Sequence, residues 1–374
     1  MRYKILFISS WFPSKIEPTN GNFVQRHAET VALLHEVEIL HAIGDPHQKE
    51  IYLFDDRTIN GIKTLVVYYK KTRSPLLNFI RRMNSYKKGF SYMQKPDLVH
   101  ANILQKPMIF AVYLKMKFHI PFIVSEHWSG FLNINKNKLP KFQLFVAKFI
   151  AKHAAFVLPV SHYLLKDLKR LGLNSRFQVI ENVVDTNLFQ AKSERPEKFV
   201  FLHISNLVPL KNPQKIIMAA LRLRKEFPDF ELHIGGDGDV ESLEKLIHRR
   251  NAENFIKTFS TLPLPKVAQK MRNSNCFILF SDYENFPCVL LESLASGTPA
   301  IATKVGGIPE IIGSNNGILI SNSEEELFTA MKKVLQKEIS FEAPEQLHQF
   351  VEDRYSMQII AKKFDQIYRQ ILSR

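Results

Sequence analysis

Cysteine is scarce: the chain of 374 residues holds two, Cys276 and Cys288. That excludes a disulfide-stapled scaffold and points to reduced thiols in a cytoplasm. Cys276 lies in the strand-like "NCFILFS" and Cys288 just past Pro287, so both read as packing residues. Long hydrophobic runs are missing too. No stretch approaches the roughly 20 apolar residues needed to cross a bilayer. The start, "MRYKILFISSWFP", lacks the apolar core and small-residue cleavage site of a secretory leader, and "KILFISS" is only strand-length. Low-complexity tracts and extended polar tails are absent, which argues against a scaffold protein. With 45% hydrophobic and 23% charged residues, the composition is that of a folded soluble protein.

Acidic residues are missing from one region in particular. The formal net charge is +15, but residues 1–190 carry 27 Lys/Arg against 13 Asp/Glu, while residues 191–374 carry 24 against 23. From Arg57 to Lys95 ten basic residues occur with no acid. Within that run, "SPLLNFIRRMNSYKKGF" sets Leu76, Phe79, Ile80, Met83, Tyr86 and Phe90 at helical spacing, with Arg81, Arg82 and Lys88 elsewhere on the wheel. Two readings stand side by side: a basic amphipathic helix for an anionic membrane or polyanionic acceptor, and a surface helix whose stripe faces its own core. Nucleic acid is not expected as a partner, because no recognition motif accompanies the charge.

What is present is alternation. "YKILFIS", "EVEILHA", "IKTLVVYY", "DLVHA", "FIVSEH" and "AAFVLPVS" are strand-like, and most are followed by helical stretches. A second set follows from "FVFLHIS" through "ELHIGG", "NFIKTFS", "CFILFS", "TPAIATK" and "GILI". Such alternation predicts parallel sheets covered by helices. The length calls for two domains, and the polar "QAKSERPEK", residues 190–198, reads as the linker. The expected fold class is therefore α/β, two Rossmann-like doubly wound parallel-sheet domains in tandem. Their natural ligand site is a cleft at the carboxyl ends of the strands. The boundaries follow as 1–190 and 191–355, with a last apolar-striped helix over 356–374.

Loops after strands are the places to look for chemistry. After "KILFISS", Gly21 precedes a helix, where a glycine lets backbone approach an anion. After "FVFLHISNL", Asn212 and Pro213 read as N-cap and first helical residue, with Lys211 just before them. A lysine at the positive end of a helix suits a bound anion, so Lys211 is a phosphate-ligand candidate beside the reading of a solvated surface lysine. "DGD" after "ELHIGG" lacks the dinucleotide spacing. In "SDYENFPCVLLESLASG", Glu284 falls in a loop and Glu292 one turn into a helix that starts near Pro287 and stops at Gly297. A buried carboxylate needs hydrogen-bond donors, and vicinal sugar hydroxyls supply two at once. At the end of "PFIVS" stand Glu126, His127 and Trp128, of which His127 is the acid/base or polar-stabiliser candidate.

These stretches resemble the family-four retaining glycosyltransferases of the GT-B fold, over nearly the whole chain. "ENFPCVLLESLASGTPAIATKVGGIPEII" is similar to that family's E-x7-E segment, "ISNLVPLKNP" to its phosphate-binding loop, and "VIENVVDTNLF" to the segment ending its first domain. The resemblance implies an acceptor-side first domain, a second domain binding the nucleotide sugar, and a final helix crossing back to the first. It implies that Glu292 binds the ribose, that Glu284 holds the donor sugar with backbone amides near Asn285, Phe286 and Pro287, that Lys211 neutralises the diphosphate, that Gly21 lets the N-terminal loop approach it, and that His127 stands near the reacting carbon. Asn206 occupies the donor-side position, five residues before Lys211, where the family usually has arginine, so fixed positive charge on the diphosphate is expected to be lower. "NVVD" carries Val183 where the family usually has glycine.

The expected activity is transfer of a sugar, with retention, from a UDP- or GDP-type nucleotide sugar to a saccharide or lipid-linked saccharide in cell-surface polysaccharide or glycolipid synthesis. His127, Glu284 and Lys211 are the expected catalytic groups. No cofactor or metal is expected, since no Asp-x-Asp pair is placed to serve a diphosphate. The basic first half suggests peripheral association with the inner face of a cytoplasmic membrane. Rival readings are a nucleotide-sugar epimerase or phosphorylase on the same plan, and a non-catalytic membrane or polyanion binder.

Overall fold

"LVHAN" and "FIVSE" are buried at every position, as strands covered on both faces must be. In the computed structural model, which describes residues 2–192 and 197–373, they are central strands of the first of two units. One unit runs to Val183 and takes up the chain again from Ile360; the other is Val184–Ile359. The polar stretch expected as a linker falls partly on residues 193–196, outside the described residues. Within it, Lys192 is buried in the second unit, its Nζ donating to the Ser274 carbonyl at 2.6 Å.

The first unit is built from β1 (Lys4–Ser9), α1 (Asn22–Ala32), β2 (Glu36–Asp45), β3 (Tyr52–Ile59), β4 (Ile62–Lys70), α2 (Pro75–Phe90), β5 (Leu98–Asn102), α3 (Ile109–Phe118), β6 (Phe122–Glu126), α4 (Lys141–His153), β7 (Phe156–Pro159) and α5 (His162–Arg170). Its sheet order is β3-β4-β2-β1-β5-β6-β7. Six strands run parallel, and β3 pairs antiparallel with β4 at the edge. That strand departs from the all-parallel expectation. "YLFDDRTI" is mostly solvated and polar, the composition that keeps an edge strand from pairing with other chains.

The second unit comprises β8 (Phe199–Ser205), α6 (Pro213–Arg224), β9 (Phe230–Gly236), α7 (Val240–Arg249), β10 (Ile256–Phe259), α8 (Leu264–Arg272), β11 (Cys276–Leu279), α9 (Cys288–Ala295), β12 (Ala300–Thr303), β13 (Gly317–Ile320), α10 (Glu324–Leu335) and α11 (Pro344–Tyr355). Its strands, in the order β10-β9-β8-β11-β12-β13, are all parallel. Phe201, Leu232, Ile234, Ile278 and Ile301 fill its core. The order reverses between β8 and β11, and in the first unit between β1 and β5. These switch points leave room for a ligand at the carboxyl ends of the strands.

The last helix, α12 (Met357–Leu372), buries Ile360, Phe364, Ile367 and Tyr368. Its Tyr368 hydroxyl meets His100 Nδ1 at 2.7 Å, and Phe364 packs edge-on against His27 and His100. On α2 the apolar stripe splits: Tyr86 is fully buried, with its hydroxyl donating to the Ser9 carbonyl, while Leu76 and Ile80 are exposed. Part of the stripe thus faces the core of its own unit, and Leu76 and Ile80 lie outside that core. No helix among the described residues is long and apolar enough to cross a membrane.

Candidate functional site

In the second unit the two loops at the switch point, after β8 and after β11, are tied together. Asn212 is the N-cap residue of α6, as its place before Pro213 predicts, but its side chain does not cap the helix. It sits at φ +48 and donates instead to the Asp282 carboxylate at 2.6 Å and the Phe280 carbonyl at 3.2 Å. The Leu210 carbonyl accepts from the Asp282 amide at 2.8 Å. This lattice sets the ammonium of Lys211 against the carboxylate of Glu284 as an ion pair, with 16% and 11% of the two side chains exposed. Glu284 Oε1 also accepts from the Ser281 hydroxyl at 2.8 Å. Ser281 is locked in turn by Thr303, whose hydroxyl accepts from its amide and donates to its carbonyl.

The loop after β12 closes tightly onto the Glu284 loop. Gly306 has φ +55, and a Cβ there would lie 1.6 Å from the Glu284 carbonyl oxygen, so no side chain fits. Beyond the loop, Phe286 and Pro287 are buried, Phe286 against Tyr355 at 5.6 Å. Helix α9 then opens with no acidic residue in its first turn, so the positive end of its dipole is not offset by a carboxylate there. Glu292 lies one turn in and is buried. Asn285 stands between Glu284 and Phe286 at the loop's turn, and Asn206 is exposed at the end of β8.

Beneath Lys211, His203 of β8 is buried with both ring nitrogens engaged, by the Ile278 carbonyl at 2.9 Å and the Ser205 hydroxyl at 2.8 Å. Burial lowers it to about 4, so it is neutral. Lys211 and Glu284 are thus in direct contact, and Glu292 lies on α9. Sequence reasoning missed His203, Ser281, Thr303 and Gly306. The doubled glycine in "VGGIPE" was the available signal for the last.

The first unit holds the other two candidates. Gly21 is the N-cap of α1 at φ +79, where a Cβ would meet the backbone of Trp11 and Phe12 at 2.5–2.7 Å. Its role there is to let the loop after β1 close onto the start of α1. His127 follows β6 and is buried, stacked on Phe23 at 4.1 Å and 5.3 Å from the ring of His27. Desolvation and the neighbouring His27 and His100 hold it well below the usual histidine range, while a hydrogen bond with Asn182 acts the other way. It is therefore a neutral imidazole, suited to polarise or accept rather than to donate a proton at neutral pH.

Next to it, Glu126 is fully buried. One carboxylate oxygen accepts from the Leu104 amide and the other from the Trp128 amide, both at 2.6 Å. Burial pushes it up to about 7, against the pull of those amides. Glu126 thus ties the loops after β5 and β6 and holds His127 in place, a function the bare "SEH" does not disclose.

Each part of the chain matches a known family. Residues 184–356 match the model of the family described as "Glycosyl transferases group 1", and residues 21–188 that of "Glycosyltransferase Family 4". The chain is 27% identical over 243 residues to the N-acetyl-alpha-D-glucosaminyl L-malate synthase of Bacillus anthracis, covering 60% of this chain and 62% of that protein. It spans about half to two thirds of the length of the curated relatives it matches.

Among solved structures, it resembles sucrose-phosphate synthase from Thermosynechococcus elongatus, with a TM-score of 0.80, 18% identity and complete coverage of both chains. It also resembles Anabaena HepE in complex with UDP-glucose, with a TM-score of 0.73, 19% identity and complete coverage of both. Two doubly wound units, each with its own switch point, and two family matches that together run from residue 21 to 356 lead to one assignment: the chain belongs to the family-four glycosyltransferases of the GT-B fold.

Proposed function

We propose that the protein is a retaining glycosyltransferase that moves a sugar from a nucleotide diphosphate sugar to a saccharide or lipid-linked saccharide. The observation that carries this reading is the Lys211–Glu284 ion pair at the β8/β11 switch point, backed by the buried Glu292 on α9. The solved structure that holds UDP-glucose supports a UDP-type donor, and the basic first unit supports work at a membrane surface in glycolipid or polysaccharide synthesis.

The pair suggests how binding and catalysis divide. A diphosphate competes for the Lys211 ammonium, and the released Glu284 carboxylate, still held by Ser281, accepts from the sugar's hydroxyls. Glu292 takes the ribose hydroxyls. The bond from the anomeric carbon to the diphosphate breaks through an oxocarbenium-like state. The acceptor oxygen bonds the same face of that carbon, and its proton passes to a phosphate oxygen of the leaving diphosphate. Lys211 and the positive end of α9 stabilise the charge that builds there, without a metal. His127, neutral in its buried site in the first unit, is suited to act as a polar group rather than as an acid. Asn206 adds hydrogen bonding to the diphosphate but no charge.

Lys211→Ala is expected to lower nucleoside diphosphate release by about a hundredfold or more, and Glu284→Gln to weaken binding of the donor sugar more than that of the bare nucleotide. Thermal shift with UDP, UDP-glucose and GDP-mannose, followed by anomer assignment of the product by NMR, checks both. Turnover unchanged in both variants would reject the reading, as would epimer formation in place of transfer.

A further inference from the structure

The first unit carries a second concave site that the donor chemistry does not use. A cavity of about 430 Å³ opens at the carboxyl end of its sheet, lined by Tyr69, Lys71, Phe79, Arg82, Lys106 and Gln143 among others. Its walls are fixed. Asn78 of α2 exchanges hydrogen bonds with the Thr72 backbone at 2.7 and 2.8 Å, and Gln143 of α4 donates to the Leu104 carbonyl at 2.8 Å. Arg82 lies over the ring of Tyr69, 5.7 Å from its centroid, and its Nε is buried with no hydrogen-bond partner among the described residues.

No carboxylate lines this cavity, and none pairs with its three cations among the described residues. Between Arg57 and Lys166 the sequence has only Asp97 and Glu126. Asp97 caps the opposite end of the sheet, accepting from the Lys4 amide, and Glu126 is committed to the Leu104 and Trp128 amides. Of the acids before Arg57, Asp45 is occupied by Lys15 at 3.2 Å and by the His47 amide, and Glu50, next to the Ile51 whose carbonyl accepts from the Lys70 amide, is exposed and makes no ion pair among the described residues.

The rim is apolar and exposed. On α2, Leu76 and Ile80 are 69% and 45% exposed, each adjacent in sequence to a residue of the cavity wall. On α4, Phe142 and Phe145 are 60% and 66% exposed, and Phe149 continues the same face one turn on. Phe142 lies under the Lys106 ammonium, 4.7 Å from its ring centroid. Exposed phenylalanines spaced along one helix face, beside unpaired cations, suit a boundary that is anionic at one depth and apolar at the next.

We propose that this cavity seats the phosphate-bearing headgroup of an anionic membrane lipid, with Lys71, Arg82 and Lys106 on the phosphate and Leu76, Ile80, Phe142 and Phe145 in the acyl boundary. That this lipid is also the carrier of the sugar acceptor rests on the transferase reading; its binding does not.

The test is co-sedimentation of the full chain with phosphatidylcholine vesicles, with and without phosphatidylglycerol, alongside a thermal shift with UDP-glucose. Binding is expected only to the anionic vesicles. Lys71→Ser and Lys106→Ser should each weaken it roughly fivefold, and Phe142→Ser with Phe145→Ser should abolish it at low protein concentration, all with the UDP-glucose shift intact. Vesicle binding unaffected by these four changes overturns the site. A wild-type response to inorganic pyrophosphate at this cavity, lost in the lysine variants but without vesicle binding, overturns the lipid and leaves a soluble anion. Lipid binding without any nucleotide-sugar shift supports the cavity and counts against the transferase reading alone.

Discussion

Gly306 shows what a single residue decides here. Its backbone passes so close to the Glu284 carbonyl that a methyl group would overlap it, and its φ of +55 disfavours any other residue. Gly306→Ala is therefore expected to move the Glu284 loop, costing about 1–3 kcal/mol of stability and weakening UDP-glucose more than UDP. Equal weakening of both, by titration calorimetry, would mean that the loop does not hold the sugar.

Glu284, Glu292 and Lys211 stood out in the sequence because charge in an apolar segment between strands is conspicuous. What their neighbours do was not legible. Asn212 has the spelling of a helix cap, yet it bridges two loops because Asp282, 70 residues away in sequence, offers a stronger acceptor. Glu126 and His203 owe their behaviour to burial, which no local pattern reports.

At the level of elements, hydrophobic period and glycine or proline stops were enough to locate nearly every parallel strand, since a strand buried on both faces must be an apolar run. β3 escaped because an edge strand has one bond partner and a wet face, so "YLFDDRTI" carries the charges of a loop. The last helix was legible as amphipathic, but what it covers was not. Its Tyr368 satisfies His100, whose other nitrogen meets Ser125 at 2.7 Å, so a fully buried ring is held by α12 on one side and β6 on the other. Tyr368→Phe keeps the packing and removes one bond, leaving His100 Nδ1 unpaired in an apolar site. A loss of about 1–3 kcal/mol is expected, read as a lower urea midpoint for the first unit with the second unit's transition unchanged. A midpoint shift confined to the second unit would contradict the assignment of α12.

Over the whole molecule, buried histidines dominate the response to acid. Burial lowers His27, His41 and His203 from the ordinary 6.5 to about 4, and places His100 and His127 well below the ordinary value. Each binds a proton more readily unfolded than folded. Its contribution to stability is complete above pH 6.5 and is lost as the pH falls toward 4. Glu126 acts in the opposite sense. Its folded value near 7 lies above the unfolded carboxylate, so it favours the native state as the pH falls from 7 toward 4.5.

One pKa unit is worth about 1.4 kcal/mol, so between pH 6.5 and 5 His27, His41 and His203 each withdraw roughly 2 kcal/mol, His100 and His127 act in the same direction, and the single carboxylate returns about as much as one of the first three. In the first unit four histidines stand against Glu126, and in the second His203 has no such opponent. Both units should therefore melt several degrees lower at pH 5 than at pH 7 at constant ionic strength. His27→Gln, which removes one of the titrating rings, should narrow that difference for the first unit only. A melting temperature that holds or rises at pH 5 would mean that these rings stay accessible to water in the folded state, against the packing of Phe23, Phe364 and Tyr368 around them.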